Sequence, residues 1–295
     1  MSHLNESTAK LLELSNAERI EKIRSPRWIG YPRAKNILAK LDDLLVYPRS
    51  HRMPNLLVVG DTNNGKTMLV QRFCAQHPAK DNPSGNGIQV PVLFVQAPPV
   101  PEEGRFYNAI LELLFAPYKA NDRVDKKQFQ VIKLLKYVGL RMLVIDEIHH
   151  IMAGNLNKQR TFLNVIKYLG NELQIPIVAV GTRDAFRALQ TDPQLANRFE
   201  PALLARWDFD TDFLRLLASF ERMLPLREPS NLHETGLATK LFSMCEGYIG
   251  ELSRLLTAAS VQAIESGKEQ INDKLLNSLD WVSPSERKRQ IDRGG

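Results

Sequence analysis

Eight consecutive residues, Gly60-Asp61-Thr62-Asn63-Asn64-Gly65-Lys66-Thr67, match the spacing G-x-x-x-x-G-K-[ST] at every specified position. These residue types suit one chemistry, the holding of a polyphosphate. Glycine permits the tight backbone path that turns successive N–H groups inward as a nest for phosphate oxygens. Lys66 puts a point charge on the β- and γ-phosphates, and the Thr67 hydroxyl supplies a Mg²⁺ ligand. Met68 begins the apolar helix that follows, whose partial positive end faces the same anion. A short motif can match by chance, but here an apolar run, Leu56–Val59, leads into the loop and an apolar helix leads out of it. The expectation is a site for ATP with Mg²⁺.

A second group of residues fits the hydrolysis of what the first would hold. Met142-Leu143-Val144-Ile145 is an apolar run that ends in two adjacent acids, Asp146 and Glu147. In a parallel sheet, ligands gather at the carboxyl ends of strands, so both acids should face the phosphate loop. Asp146 is then the expected Mg²⁺ holder, and Glu147 the base that polarises the attacking water. The tetrad Asp146-Glu147-Ile148-His149 also spells a helicase signature. That reading needs a second recombinase-like domain, and the remaining chain reads as helical. His149 and His150 have no Cys or His partner at metal-ligand spacing and are expected to be exposed or to support neighbouring residues.

Three further positions qualify by place in the pattern. Thr182 ends the apolar run Ile177–Val180 and is expected either to bond the γ-phosphate or lytic water, or to cap a helix over Asp184–Leu189. Arg198, with Arg206 shortly after it, is a candidate to act on a neighbouring subunit's nucleotide, as arginine fingers do. Arg254, on a helix near the C-terminus, is a candidate to contact the γ-phosphate.

The elements that must position these residues are legible as periodicity. Leu56–Val59, Val92–Val95, Leu143–Ile145 and Ile177–Val180 are continuous apolar runs, as expected of strands buried on both faces of a parallel sheet. Helical patterns lie between them, over Thr67–Ala75, Arg105–Leu114, Gln128–Val138 and Gln159–Leu173. This alternation predicts a doubly wound α/β core. After Trp207 no strand run is evident. Asp212–Leu224, Leu232–Cys245, Gly250–Glu265 and Asp273–Leu279 read as helices, which makes a small all-helical domain joined near Pro225–Pro229. Residues 1–24 read as one amphipathic helix, and a second helical period covers Ala34–Leu45. The expected organisation is an N-terminal helical segment at 1–28, a P-loop core at 29–224, a helical lid at 225–280 and a disordered basic tail at 281–295.

With 295 residues, 43% of them apolar and 24% charged, the chain is long enough for one sizeable core and a satellite domain. No run reaches the ~18 apolar residues of a membrane span, and the N-terminus lacks the pattern of a secretory signal. Two cysteines make no framework, which fits a reducing cytoplasm. The net charge of +6 is unevenly placed. Nine Lys or Arg stand against three acids from Arg19 to Arg52, and seven against two from Lys119 to Arg141. Such excess suits a polyanionic partner, above all nucleic acid, or is simply a solvated basic surface.

The loop, the acid-bearing strand, the polar strand end, the later arginine and the helical lid together resemble the AAA+ ATPases. More narrowly, the chain resembles the TniB/TnsC group of transposition ATPases. The features that carry this are Trp28-Ile29-Gly30-Tyr31-Pro32-Arg33-Ala34, Leu143–His149, Val180-Gly181-Thr182 and Gly247-Tyr248-Ile249-Gly250. The resemblance implies an AAA+ core with a central parallel sheet and a small all-helical lid. It implies an ATPase that assembles as a ring or helical filament on duplex DNA, associated with the bacterial nucleoid. It also implies partners, a TniA/TnsB-like transposase and a TniQ-like target selector. Lys66, Thr67, Asp146, Glu147 and Thr182 then carry nucleotide roles and Arg198 a trans role. Tyr118, Lys119, Arg123, Lys126 and Lys127 fall where such proteins present DNA contacts. Many lids of this class place an arginine three residues after the glycine, where this chain has Ser253, which implies slow or partner-stimulated hydrolysis. A helicase loader and a nucleotide-gated switch that never touches DNA share the core motifs and are the alternatives.

Overall fold

The computed structural model describes residues 3–83, 85 and 87–294. Residues up to Tyr31 and from Arg206 onward form one compact unit, and Pro32–Ala205 form another. The division therefore falls before the expected 224/225 boundary, and the N-terminal segment belongs with the helical unit.

The single helix expected over 1–24 is broken in two. α1 (Glu6–Lys10) runs into a 3₁₀ turn at Leu11–Glu13, and α2 (Asn16–Arg24) starts afresh. Ser15 causes the break, because its hydroxyl accepts from the Glu18 N–H while the Glu18 carboxylate accepts from the Ser15 N–H at 2.9 Å. This reciprocal cap fixes a helix start in the middle of an amphipathic pattern.

In the second unit α3 (Pro32–Val46) precedes β1 (Asn55–Gly60) and α4 (Lys66–Gln76). A short antiparallel pair, β2 (Lys80–Asp81) and β3 (Ile88–Gln89), leads to β4 (Val92–Gln96). Then come α5 (Glu103–Leu113), α6 (Val124–Tyr137), β5 (Met142–Asp146) and a 3₁₀ segment, Ile148–Ala153. α7 (Leu156–Leu173), β6 (Ile177–Gly181), α8 (Arg183–Gln190), α9 (Pro193–Ala196) and β7 (Phe199–Leu204) complete it. The sheet has the order β4-β5-β6-β1-β7, and its strand pairs are all parallel. β1, β5 and β6 are buried along their whole length, which is why their sequences are unbroken apolar runs rather than alternating ones.

β7 has no counterpart among the expected strands. Glu200 is exposed and Pro201 lacks an N–H, so the apolar pattern that marks the other strands is interrupted. An edge position tolerates both, and β7 lies at the sheet edge beside β1, in register from Asn55↔Phe199 to Gly60↔Leu204.

The C-terminal helices are α10 (Thr211–Glu221), α11 (Thr235–Cys245), α12 (Ile249–Glu265), α13 (Asp273–Ser278) and α14 (Pro284–Gly294). Ile23 of α2 is buried in their apolar cluster with Leu252, Leu255 and Ala259. α14 corrects the expectation of a disordered tail at 281–295. Pro284 is preorganised for a first helical position, the Ser285 N–H donates to Glu246 Oε1 at 2.9 Å, and Arg287 pairs with Glu251. Among the described residues no helix is long and apolar enough to cross a membrane.

Candidate nucleotide site

Parallel pairing brings three strand ends to one edge of the sheet. The loop Gly60–Thr67 follows β1, Thr182 follows β6 beside it, and Asp146 and Glu147 end β5 on the far side of β6. A cleft of about 360 Å³ opens there, lined by Thr62–Met68, Glu147, His149 and Thr182.

The loop's path depends on residues that accept unusual backbone geometry. Asn63 (φ 63°) and Gly65 (φ 83°) are left-handed, and Gly65 caps the start of α4. Such φ values cost most side chains strain but suit glycine and asparagine. Gly60 is required for a different reason. A Cβ there would lie 2.5 Å from the Leu204 carbonyl oxygen, so β1 and β7 approach too closely for any other residue. The same carbonyl accepts from Asn64 Nδ2 at 2.6 Å, which ties the middle of the loop to the edge strand. Asn64 is buried and its Oδ1 has no partner.

Lys66 is only 8% exposed, and its ammonium donates to the Asp61 carbonyl at 2.8 Å. Burial pushes its pKa below the ordinary lysine range, while the carboxylates of Glu147, Asp146 and Asp61 pull it back up. The Thr67 hydroxyl donates to Asp146 Oδ2 at 2.7 Å, and Asp146 Oδ1 accepts from the Glu147 N–H at 2.8 Å. Glu147 is itself left-handed (φ 54°), a local strain of the kind that collects at functional sites. Thr182 precedes α8 but its side chain makes no cap bond, so of the two roles open to it the hydroxyl does not perform the structural one. A buried ammonium beside a glycine turn, with a hydroxyl and a carboxylate already paired, is a donor set of hard oxygens and one cation. It fits a triphosphate carrying Mg²⁺.

Two residues near the cleft have no role that spacing alone assigns. His149 is drawn beside Glu147, with Nδ1 3.1 Å from Oε2. Arg183, next after Thr182, puts Nε 3.7 Å from Asp61 Oδ1. Adjacency to Thr182 is the one sequence signal that marks Arg183.

Arg198 stands apart from these residues. It immediately precedes β7, and its carbonyl accepts from the N–H of Asn55, the first residue of β1. It therefore lies at the opposite end of the sheet from its own phosphate loop, with its guanidinium on Asn171 Oδ1 at 2.7 Å. Arg206 stacks 3.9 Å from the centre of the Tyr248 ring, and Arg254 pairs with Glu251 and lies 5.8 Å from the Trp281 ring centre.

The expected DNA-contact residues surround the start of α6, and most are engaged locally. Lys126 pairs with Asp122 at 2.7 Å and Arg123 with Asp125 at 2.8 Å. Tyr118 donates its hydroxyl to Glu112. Lys127 departs from the expectation: it is 4% exposed and its ammonium donates to the Ala120 carbonyl at 2.9 Å, which makes it a brace for the loop. Lys119 is exposed, and its N–H donates to Asp122.

Solved structures with this arrangement are origin-recognition and Cdc6 proteins. The ORC2 protein of Aeropyrum pernix, titled as ADPNP-ADP complexes, has TM-score 0.60 and 14% identity, over 87% of this chain and 70% of that one. Cdc6p of Pyrobaculum aerophilum has TM-score 0.58 and 16% identity, over 85% and 68%. The ORC1 protein of A. pernix, titled as a complex with DNA, has TM-score 0.55 and 16% identity, over 93% and 69%. Identities this low carry the fold alone, and that fold is the AAA+ P-loop core with a helical C-terminal region. The family described as bacterial TniB protein matches residues 19–209, and the chain belongs to that family. No curated protein matches it.

Proposed function

We propose that this chain is an ATP-dependent, DNA-binding regulator of transposition that assembles on target duplex DNA and recruits or activates the transposase. The observation that carries the nucleotide half is the convergence of Lys66, the Thr67–Asp146 pair and Glu147 on one cleft. Membership of the TniB family supports the transposition half.

Lys66 draws the β- and γ-phosphates of ATP into the cleft, and Thr67 and Asp146 hold Mg²⁺ there. The bound ion supplies charge neutralisation at the phosphates. Glu147 accepts the proton of the water that attacks the γ-phosphorus, and the Thr182 hydroxyl orients that water. Arg198 serves the nucleotide of the next subunit, because it lies far from its own. Lys119, Arg123 and Lys126 meet DNA phosphates, and Arg123 and Lys126 exchange Asp125 and Asp122 for them. The transposase and a target selector then read the nucleotide-bound assembly.

Electron microscopy with duplex DNA tests this directly. Ordered oligomers should form on DNA with a non-hydrolysable ATP analogue and not without it. Assembly that ignores nucleotide, or that survives Lys66→Ala, would sink the proposal. Association with a helicase and not with a transposase would favour the loader alternative.

A further inference from the structure

Immediately after β5 the chain brings three ligating side chains together. Glu147, His149 and His150 each offer one ligand atom, and these atoms lie within 4.8 Å of one another. The left-handed backbone at Glu147 and the 3₁₀ turn after it make this possible, since neither an extended strand nor a regular α-helix would bring positions i, i+2 and i+3 together.

The details match metal ligation better than mutual hydrogen bonding. His149 Nδ1 lies 3.1 Å from Glu147 Oε2, yet it has no hydrogen-bond partner: the two atoms are close but not aligned for donation. Two ligand atoms ~2.1 Å from a shared ion lie roughly 3.0–3.4 Å apart, depending on the bond angle. His150 Nδ1 lies 3.3 Å from the Ala97 carbonyl oxygen. A carbonyl only accepts, so Nδ1 carries the proton and Nε2 keeps its lone pair. A ligating histidine is oriented in this way, by donating its other ring N–H to a carbonyl. The side chains of Glu147 and His149 are 33% and 30% exposed, while His149 Nδ1 itself is buried.

We propose that Glu147, His149 and His150 form a site for a transition-metal dication of the zinc class, distinct from the Mg²⁺ site, and that its occupation arrests hydrolysis. Two imidazoles and one carboxylate suit such ions, whereas Mg²⁺ demands oxygen ligands in octahedral array. Three protein ligands leave the fourth position of a tetrahedral ion to water. A carboxylate bound to the ion no longer accepts a proton, so the base is withdrawn while Lys66, Thr67 and Asp146 stay free for nucleotide. The arrest, though not the metal site itself, rests on the reading of Glu147 as the base.

The test uses the full chain in millimolar Mg²⁺. Calorimetry with Zn²⁺ should give one site per chain, and Co²⁺ should give a visible d–d absorption band displaced by Zn²⁺. His149→Gln and His150→Gln should each weaken binding by ~10-fold or more, with circular dichroism checking that the variants are folded. Zn²⁺ should slow ATP turnover and leave binding of a fluorescent ATP analogue unchanged. Absence of the Co²⁺ band in wild type overturns the site. So does undiminished binding in the folded double variant, or a near-ultraviolet thiolate band that places the ion on Cys74 or Cys245. Binding without slowed turnover overturns the arrest. Failure of ATP binding in metal-free protein would instead strike the nucleotide reading and leave the metal result standing.

Discussion

The Thr67 hydroxyl and Asp146 Oδ2 are 2.7 Å apart, although Thr67 opens the helix that follows β1 and Asp146 ends β5, with β6 between those strands. With Oδ1 occupied by the Glu147 N–H, the carboxylate is held in one orientation. Thr67→Ala should therefore weaken Mg²⁺-dependent ATP binding by ~10-fold or more, the scale of a hydrogen bond to a charged group. Asp146→Asn keeps the shape, loses the charge and should shift the Mg²⁺ requirement upward, while Thr67→Ser stays near wild type. Titration of a fluorescent ATP analogue across Mg²⁺ concentrations reads this. An unchanged Mg²⁺ dependence in Thr67→Ala would remove the pair from the site.

Gly60 is a packing constraint on the same loop. Gly60→Ala would force a Cβ to within 2.5 Å of the Leu204 oxygen, so β7 or the loop must shift. Because Leu204 also anchors Asn64, the expected result is a loss of ATP affinity together with a loss of stability. Gly236, near the start of α11, is the control. A Cβ there meets nothing within 4 Å, and Gly236→Ala should be neutral or stabilise by about 0.5–1 kcal/mol. Equal ATP binding by the two variants would contradict the argument.

These two cases show what the sequence can reveal. The loop and the acid pair are legible because their chemistry is local: a fixed spacing, and two acids at the end of an apolar run. The strands buried on both faces are legible for a similar reason. β7 is not, since an edge strand can carry Glu200 and Pro201. The order in α14 depends on Glu246 and Glu251, far off in sequence, so its own composition reads as a polar tail. The His149–Glu147 approach needs one left-handed residue that no spacing rule encodes. The pairing in the basic loop does have a local signal: Asp122 stands four residues before Lys126, a spacing that pairs charges on a helical turn.

The N-terminal segment is locked to the helical unit by a buried ion pair. Arg19 is 0% exposed and grips Glu269 with two bonds, at 2.8 and 2.5 Å. Arg19→Ala should cost about 3 kcal/mol, because it leaves the mostly buried Glu269 carboxylate with Arg227 alone. Burial alone pushes the Glu269 carboxyl up, but the hydrogen bonds and charge of Arg19, with those of Arg227, outweigh it and hold the pKa down. A folded pKa below the unfolded value gives stability that is full above about pH 4.3 and lost as pH falls through the folded value. Denaturant melts of wild type and Arg19→Ala should therefore converge as pH falls through the folded value. A constant gap across that range would mean that the pair is not the source.

Around the start of α6 the buried Lys127 differs from Lys119 and Lys126, which under the proposed function would be the cations that meet DNA. Charge reversal at Lys119 and Lys126 should weaken duplex binding and flatten its salt dependence by about one unit for each phosphate left without its cation. Lys127→Met should act differently, lowering stability with little change in the salt slope, because its ammonium holds the Ala120 carbonyl. Binding measured across salt concentrations distinguishes the two. The same slope in wild type and the Lys119/Lys126 double reversal would move the DNA interface elsewhere.

Under the proposed function, Arg198 is the residue whose role would depend on a second copy of the chain. Its backbone is bonded to Asn55 at the start of β1, while the phosphate loop begins at Gly60 at the other end of that strand. An arginine so placed can stabilise developing charge only on a neighbour's phosphates, and fingers of this kind contribute ~10³-fold or more to turnover. Arg198→Ala should lower DNA-dependent turnover on that scale while leaving ATP affinity near wild type. Glu147→Gln should bind ATP and assemble but be inactive through loss of the base. Mixing the two inactive proteins on DNA then gives a decisive measurement. In mixed oligomers the Glu147 of one variant meets the Arg198 of the other, so intact sites form at subunit junctions and turnover returns. A mixture no more active than either variant alone would show that Arg198 does not act across that junction.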